Sequence, residues 1–210
     1  DGYTRQDFKK DSYSYNTNTT AMGVLNYRLN NNHKFTFTSL FLNSSEQSHD
    51  EYNGFDIEFD NDITNNENGV GFIQRNTFTE TKLVINQLSG EHDISENNTI
   101  HWIVGYNIMN NTIPDRMQNT AGSDFRTNRS TDFVLITGSP IYNHRFFQDL
   151  KEDELSVNIS DKIEFNDSED ELKGELTFGY SGRFKMIDFS SQQYDFRLIN
   201  QAGLYNIDIA

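Results

Sequence analysis

Polar and apolar residues alternate with a period of two in six places along the chain. The cleanest run covers 172–185. Lys173, Glu175, Thr177, Gly179, Ser181, Arg183 and Lys185 occupy one set of positions, and Leu172, Gly174, Leu176, Phe178, Tyr180, Gly182 and Phe184 the other. Successive side chains of a β-strand point to opposite faces, so this segment predicts a strand that separates two different solvents. Weaker versions unite Ala21, Gly23, Leu25, Tyr27 and Leu29, then Phe35, Phe37 and Phe41, then Leu83 and Ile85. Two more unite Ile100, Trp102, Val104, Tyr106 and Ile108, and Leu155, Val157 and Ile159. No stretch carries a clear helical period, and the predicted class is all-β.

The breaks between strands carry more information than the strands. Short polar turns fall at 30–33, 93–98 and 166–171, whereas long polar excursions occupy 43–71, 110–143 and the chain from 188 onward. A soluble sandwich has turn signals every ~8–12 residues at both ends. Tight turns at one end and long loops at the other are the layout of a transmembrane β-barrel. An antiparallel sheet with one solvated face produces the same alternation, but long open strands invite edge pairing, which closure prevents. The expected topology is an antiparallel meander with the three turns on one rim and the excursions on the other. Residues near Leu25 should pair with Phe37, Phe41 with Leu83, Ile85 with Val104, and Val157 with Leu176. Trp102 and Tyr106 should lie on the outer surface, Trp102 near the interface at the turn end.

Composition narrows the function. Lys+Arg number 17 against 32 Asp+Glu, a net charge of −15, which argues against a nucleic-acid partner. The absence of cysteine excludes a disulfide scaffold, a Cys-ligated zinc and a thiol nucleophile. With 17 Phe and 10 Tyr the chain is too aromatic for a disordered acidic polymer. No apolar run approaches the ~20 residues of a membrane helix. Without an initial Met or a signal peptide, the chain is expected to be processed or a fragment.

Candidate chemistry is sparse. His33, His49, His92, His101 and His144 show no metal-binding spacing, and His33 and His92 suit hydrogen-bonding roles at turns. Asp60, Asp62 and Thr64 open like an EF-hand loop, but Asn65 replaces the needed glycine and no Glu closes it. Ser139, Ser181 and Ser191 lie in no nucleophile elbow, and no phosphate loop is present. The pairs Glu152–Glu154 and Glu169–Glu171 read as solvated turn or loop charges rather than glycosidase acids. Between Glu46 and Glu67 lie eight carboxylates and no Lys or Arg, a negative rim if extracellular. No catalytic, cofactor-binding or metal-ligating residue is assigned, and no enzyme is expected.

Around the second turn the chain reads Leu88-Ser-Gly90-Glu-His92-Asp-Ile94, then Ile100-His-Trp102, then Ile113-Pro114-Asp115-Arg116. The first turn reads Tyr27-Arg-Leu29-Asn-Asn-Asn-His33-Lys34-Phe35, and Leu172-Lys-Gly174-Glu-Leu176 opens a strand with Arg183-Phe184 further along. This order of elements resembles the β-barrel of TonB-dependent outer-membrane receptors over roughly residues 17–200. Such receptors close about twenty-two strands around a plug, so the resemblance implies that residues 1–210 form six or seven strands of a larger outer-membrane barrel. Plug and remaining strands would lie outside this chain, as would any contact with TonB.

The resemblance implies uptake of a scarce nutrient (siderophore, corrinoid, glycan or peptide) across a bacterial outer membrane. Lys173, Glu175, Arg183 and Lys185 would face the lumen, and Trp102, Tyr106, Leu176, Phe178 and Tyr180 the lipid. Outer-membrane lipid, the plug, TonB and a surface lipoprotein would be its partners. The alternative is a secreted or surface β-sheet protein that binds glycans or proteins through its aromatic residues.

Overall fold

The computed structural model describes residues 4–56, 70–123, 133–136, 139, 141–166 and 173–196. They form six long strands and one short one: β1 (Gln6–Arg28), β2 (His33–Asp56), β3 (Val70–Ser95), β4 (Asn98–Ser123), β5 (Phe133–Leu135), β6 (His144–Asn166) and β7 (Lys173–Asp195). The described residues contain no helix. The long strands make one antiparallel sheet in the order β1-β2-β3-β4-β6-β7, while β5 pairs only with the end of β4. The sheet is an up-and-down meander, and it is open, with β1 and β7 as its edges.

Local hydrogen bonds explain the tight turns. In the first, the Asn32 amide donates to the Asn30 side chain at 2.9 Å, a geometry for which Asn is suited. In the second, the Asn97 amide donates to Ser95 Oγ at 3.4 Å. Each turn also binds its neighbour: Asp93 N–H donates to the Asn32 carbonyl at 2.9 Å, and Glu164 N–H to the Asn97 carbonyl at 2.8 Å. These two turns therefore lie on one rim, together with the facing ends Asn166 and Lys173 of β6 and β7.

Strand pairing follows sequence order, and Leu25 faces Phe37. Phe41 faces Val84, one residue from the expected Leu83. Val104 pairs with Leu88 and not Ile85, and Val157 with Gly182 and not Leu176. The cause is geometric: misplacing a hairpin's centre by one residue moves every pair across it by two, and turn length sets that centre.

The excursions 43–71 and 110–143 are in large part strand, as is 188–195. β2 continues to Asp56, β4 to Ser123, and β7 to Asp195. These segments are polar on both faces, so they show no alternation, yet cross-strand side chains join them. Thr17 meets Ser45 at 2.6 Å, Asn111 Nδ2 donates to Thr81 Oγ1 at 2.8 Å, and Ser12 donates to Asp50. Glu152 and Glu154 likewise sit within β6 and not in a loop. The Asp60–Thr64 stretch, the Glu169–Glu171 pair and most of the 166–171 turn lie outside the described residues.

One irregularity divides the sheet. Between Ile113 and Arg116 the ladder of β4 gains one residue against β6, and β3 shows the matching slip between Phe78 and Glu80. Pro114 sits in this bulge, where its missing N–H costs no ladder bond. An extra residue reverses the alternation. Trp102 and Tyr106 share a face before the bulge, and Asp115 and Met117 continue it, whereas Arg116 and Gln118 emerge on the opposite face. No second layer covers the sheet among the described residues, and Ala121 is their one buried apolar residue.

Candidate functional site: a sheet with two unlike faces

Pairing carries the alternation from strand to strand, so each face can be followed across all six long strands. On one face Leu25, Phe37, Leu88, Val104, Val157 and Gly182 stand in a row. Around that row lie Phe35, Phe41, Trp102, Tyr106, Ile108, Leu155, Leu176, Phe178, Tyr180, Phe184 and Met186, forming a band in the half of the sheet nearest the turns. On β7 the band runs from Leu176 to Met186, ~30 Å of strand at about 3.3 Å per residue. Beyond it the same face turns polar with Asn43, Lys82, Asn110, Lys151 and Asp188.

Most of this band is exposed: Leu176, Phe178 and Tyr180 keep 51%, 54% and 67% of their surface in solvent, and Tyr106 keeps 44%. Ser39 and Asn86, polar residues in mid-band, bond each other at 2.9 Å. Two carboxylates interrupt the band: Asp161 between Ile100 and Phe178, close to the turn rim, and Asp153 between Ile108 and Met186 at the opposite edge, where it accepts from the Tyr106 hydroxyl at 2.8 Å.

Near that rim the aromatic residues interlock. Trp102 Nε1 donates to His92 Nε2 at 2.8 Å, and His92 Nδ1 lies 3.1 Å from His33 Nδ1. Because His92 accepts on Nε2, its proton sits on Nδ1 and is donated to His33. Phe35 packs edge-on against both His92 and Trp102. The G-x-H pattern was visible in the sequence, but its mechanical reason was not: Gly90 is the residue directly opposite Trp102, and a Cβ there would overlap the indole.

The other face carries ion pairs at the same height. Lys185 Nζ lies 2.6 Å from Glu152 and 3.9 Å from Glu154, and Arg183 Nε 3.7 Å from Glu154. Lys162 joins Glu164 at 2.8 Å and Glu175 at 3.2 Å, and Lys34 pairs with Glu91. Glu175, Arg183 and Lys185 thus share this face, Glu175 near the turn rim and the two cations at the other end of the band, and Trp102, Tyr106, Leu176, Phe178 and Tyr180 all lie on the opposite one. The side chain of Lys173 lies outside the described residues. Sequence reading missed Glu152 and Glu154 because the run Asp149-Leu150-Lys151-Glu152-Asp153-Glu154 is charged on both faces.

The charged face is not uniformly polar. Met22, Leu40 and Ile85 align across β1, β2 and β3, and Leu42, Leu83 and Met109 across β2, β3 and β4. No group of His, Cys, Asp and Glu suited to a metal ion occurs among the described residues. No protein-family model matches the chain, and no curated protein matches it.

Proposed function

We propose that this chain is part of the wall of a TonB-dependent outer-membrane receptor, contributing six strands to a barrel of about twenty-two. The carrying observation is the apolar band: about ten residues along the strands, continuous across six strands on one face, while the ion pairs at that height lie on the other. Strands tilted ~45° carry such a band through ~25 Å of hydrocarbon. In this reading Trp102, Tyr106, Leu176, Phe178 and Tyr180 meet lipid, and Lys173, Glu175, Arg183 and Lys185 face the lumen. Trp102 belongs to the periplasmic aromatic girdle, where an indole spans hydrocarbon and headgroup. Asp161 fits near the turn rim and Asp153 at the far edge of the band, where a charge costs much less than at the midplane.

Three further features support the reading. Apolar side chains exposed across six strands exceed what a soluble monomer presents. The long edges of β1 and β7 acquire partners once further strands complete the barrel. The apolar patch around Leu40 and Leu83 gives a plug domain a surface to pack against. The role that follows is uptake of a scarce nutrient, a siderophore, corrinoid, glycan or peptide, with TonB and a surface lipoprotein as partners and no catalysis by this stretch. A secreted glycan- or protein-binding sheet would need a second layer over its apolar face, and the described residues supply none.

These 210 residues contain no cysteine, so with any cysteine elsewhere in the protein replaced by serine each introduced thiol is unique. Single cysteines at positions 176 to 186, spin-labelled in the full-length protein in lipid vesicles, should alternate in accessibility. Labels at Phe178 and Phe184 should be relaxed by oxygen dissolved in the bilayer, and labels at Thr177 and Arg183 by a water-soluble nickel chelate. Equal access of the nickel chelate to both sets would refute the proposal.

A further inference from the structure

At the end of the charged face remote from the turns, Arg75, Arg116, Gln118 and His144 converge beneath Ser139 and Ile141. Together with Gln193 they line an open cleft of about 510 Å³, within the ~300–1,000 Å³ range of small-ligand sites. The grouping depends on the bulge at Pro114. Without the extra residue Arg116 and Gln118 would point to the face of Trp102, away from Arg75 and His144. Bulges that re-aim side chains are common beside functional sites.

The cleft gathers two guanidinium groups around a row that runs from Asp50, opposite Arg75, to Asp195, opposite His144. Arg75 donates through Nε and Nη2 to Gln118 Oε1 at 3.0 and 2.7 Å, and Gln118 Nε2 is anchored on the Ile141 carbonyl at 2.9 Å. A neutral amide therefore fixes the first guanidinium. Arg116 sits 4.3 Å from the centre of the Phe146 ring, with Nη2 3.5 Å from His144 Nε2 and with no partner on its buried Nε. Arginine only donates, so His144 Nε2 is the unprotonated nitrogen and Nδ1 carries the proton. That Nδ1 is buried and unpartnered, in a residue only 5% exposed.

Among the described residues neither arginine forms an ion pair, although the chain carries 32 carboxylates against 17 Lys+Arg. Asp50, directly opposite Arg75, makes its close contacts with Lys10 and Ser12, and Asp195 stands opposite His144, so Arg116 is the guanidinium with no carboxylate facing it across the ladder. Buried N–H donors left unpaired are costly, and so are like charges held together. We propose that this cleft binds a small polyanion through its carboxylate or phosphate groups, which Arg75 and Arg116 clamp while His144 donates through Nδ1. The inference does not rest on the membrane reading, because the cleft lies outside the apolar band and the same sheet in water would carry it.

The test is equilibrium dialysis of the full-length protein at about 0.1 M salt against labelled citrate and, separately, inorganic pyrophosphate. One probe or both should bind saturably at one site per chain, and the tighter of the two identifies carboxylate or phosphate as the recognised group. Arg75→Gln and Arg116→Gln should each weaken binding at least tenfold. Gln118→Glu, which gives Arg75 an internal counter-charge, should do the same without removing either arginine. Arg145→Gln should leave binding unchanged, since that guanidinium is paired with Asp115 on the opposite face. Circular dichroism of the β-sheet reports whether each variant folds. Absence of saturable binding by both probes would overturn the proposal, and so would equal weakening by Arg145→Gln.

Discussion

The indole of Trp102 lies across Gly90, its directly opposed residue on the neighbouring strand, and donates its N–H to His92 two residues further on. An aromatic ring covering a cross-strand glycine shields backbone that no side chain protects. Gly90→Ala would drive a methyl into the indole, displace it and break the Trp102–His92–His33 chain. The expected cost is about 1–3 kcal/mol of unfolding free energy from overpacking. A shift in the emission of the single tryptophan should accompany it. Gly105→Ala makes the control: its methyl would meet mainly Ser156 Oγ, a small side chain able to rotate, and should leave the emission unchanged.

The two faces differ most sharply at adjacent positions on β7. If one meets lipid, Tyr180→Arg, in the middle of the band, should cost ~2–4 kcal/mol in vesicles, and Ser181→Arg close to nothing. Urea titrations of both variants in the same lipid measure the difference. Equal costs would remove the basis for assigning the faces to different solvents.

Lys185 bridges Glu152 and Glu154, whose side chains are only 19% and 15% exposed. Lys185→Met leaves two nearby carboxylates facing each other with Arg183 as the remaining cation, and about 1–3 kcal/mol should be lost. Adding Glu152→Gln should restore part of that loss, because the repulsion goes with the charge. A double-mutant cycle by denaturant unfolding checks this, and simple additivity would show that the pair is not coupled.

The polar half of the sheet should respond to pH in two directions. The Ser12 hydrogen bond and then Lys10 hold the Asp50 carboxyl below its ordinary 3.8, against the opposing effect of burial. That contribution is present above 3.8 and lost as pH falls through the depressed value. Hydrogen bonds with Asn76 and then Glu51 raise His49 above its ordinary 6.5, so its contribution is full below 6.5 and lost as pH rises through the raised value. Amide protection around residues 48–52 should therefore peak between about 4 and 6.5. Asp50→Asn should abolish the acid-side loss and His49→Gln the alkaline-side loss. A flat profile in the unsubstituted protein would contradict both.

Legibility in the sequence followed the solvent contrast. Where one face is apolar and the other charged, as at 172–185, alternation alone placed Leu176, Phe178 and Tyr180 together and Glu175, Arg183 and Lys185 opposite them. Where both faces are polar, as in Asn43–Asp56 of β2, nothing alternates, and strand was read as loop. The arginine cleft was hidden for another reason. A period of two continued from Trp102 assigns Arg116 to the wrong face, and only the bulge reverses it. Pro114 was the one local sign, since a proline inside a central strand demands an irregular ladder.

The division of the sheet at its bulge has a consequence for how its halves find alignment. In the banded half a slip of one residue would carry side chains such as Phe178, Tyr180 and Phe184 to the charged face and Arg183 and Lys185 to the apolar one, a heavy penalty that fixes the pairing. The outer half has no such penalty, because a slip there replaces one polar residue with another. Its strands take their alignment from the banded half, much as a zip takes its spacing from the teeth already closed. The turn-proximal hairpins thus act as the ruler by which Arg75, Gln118 and His144, drawn from three different strands, arrive at the same height.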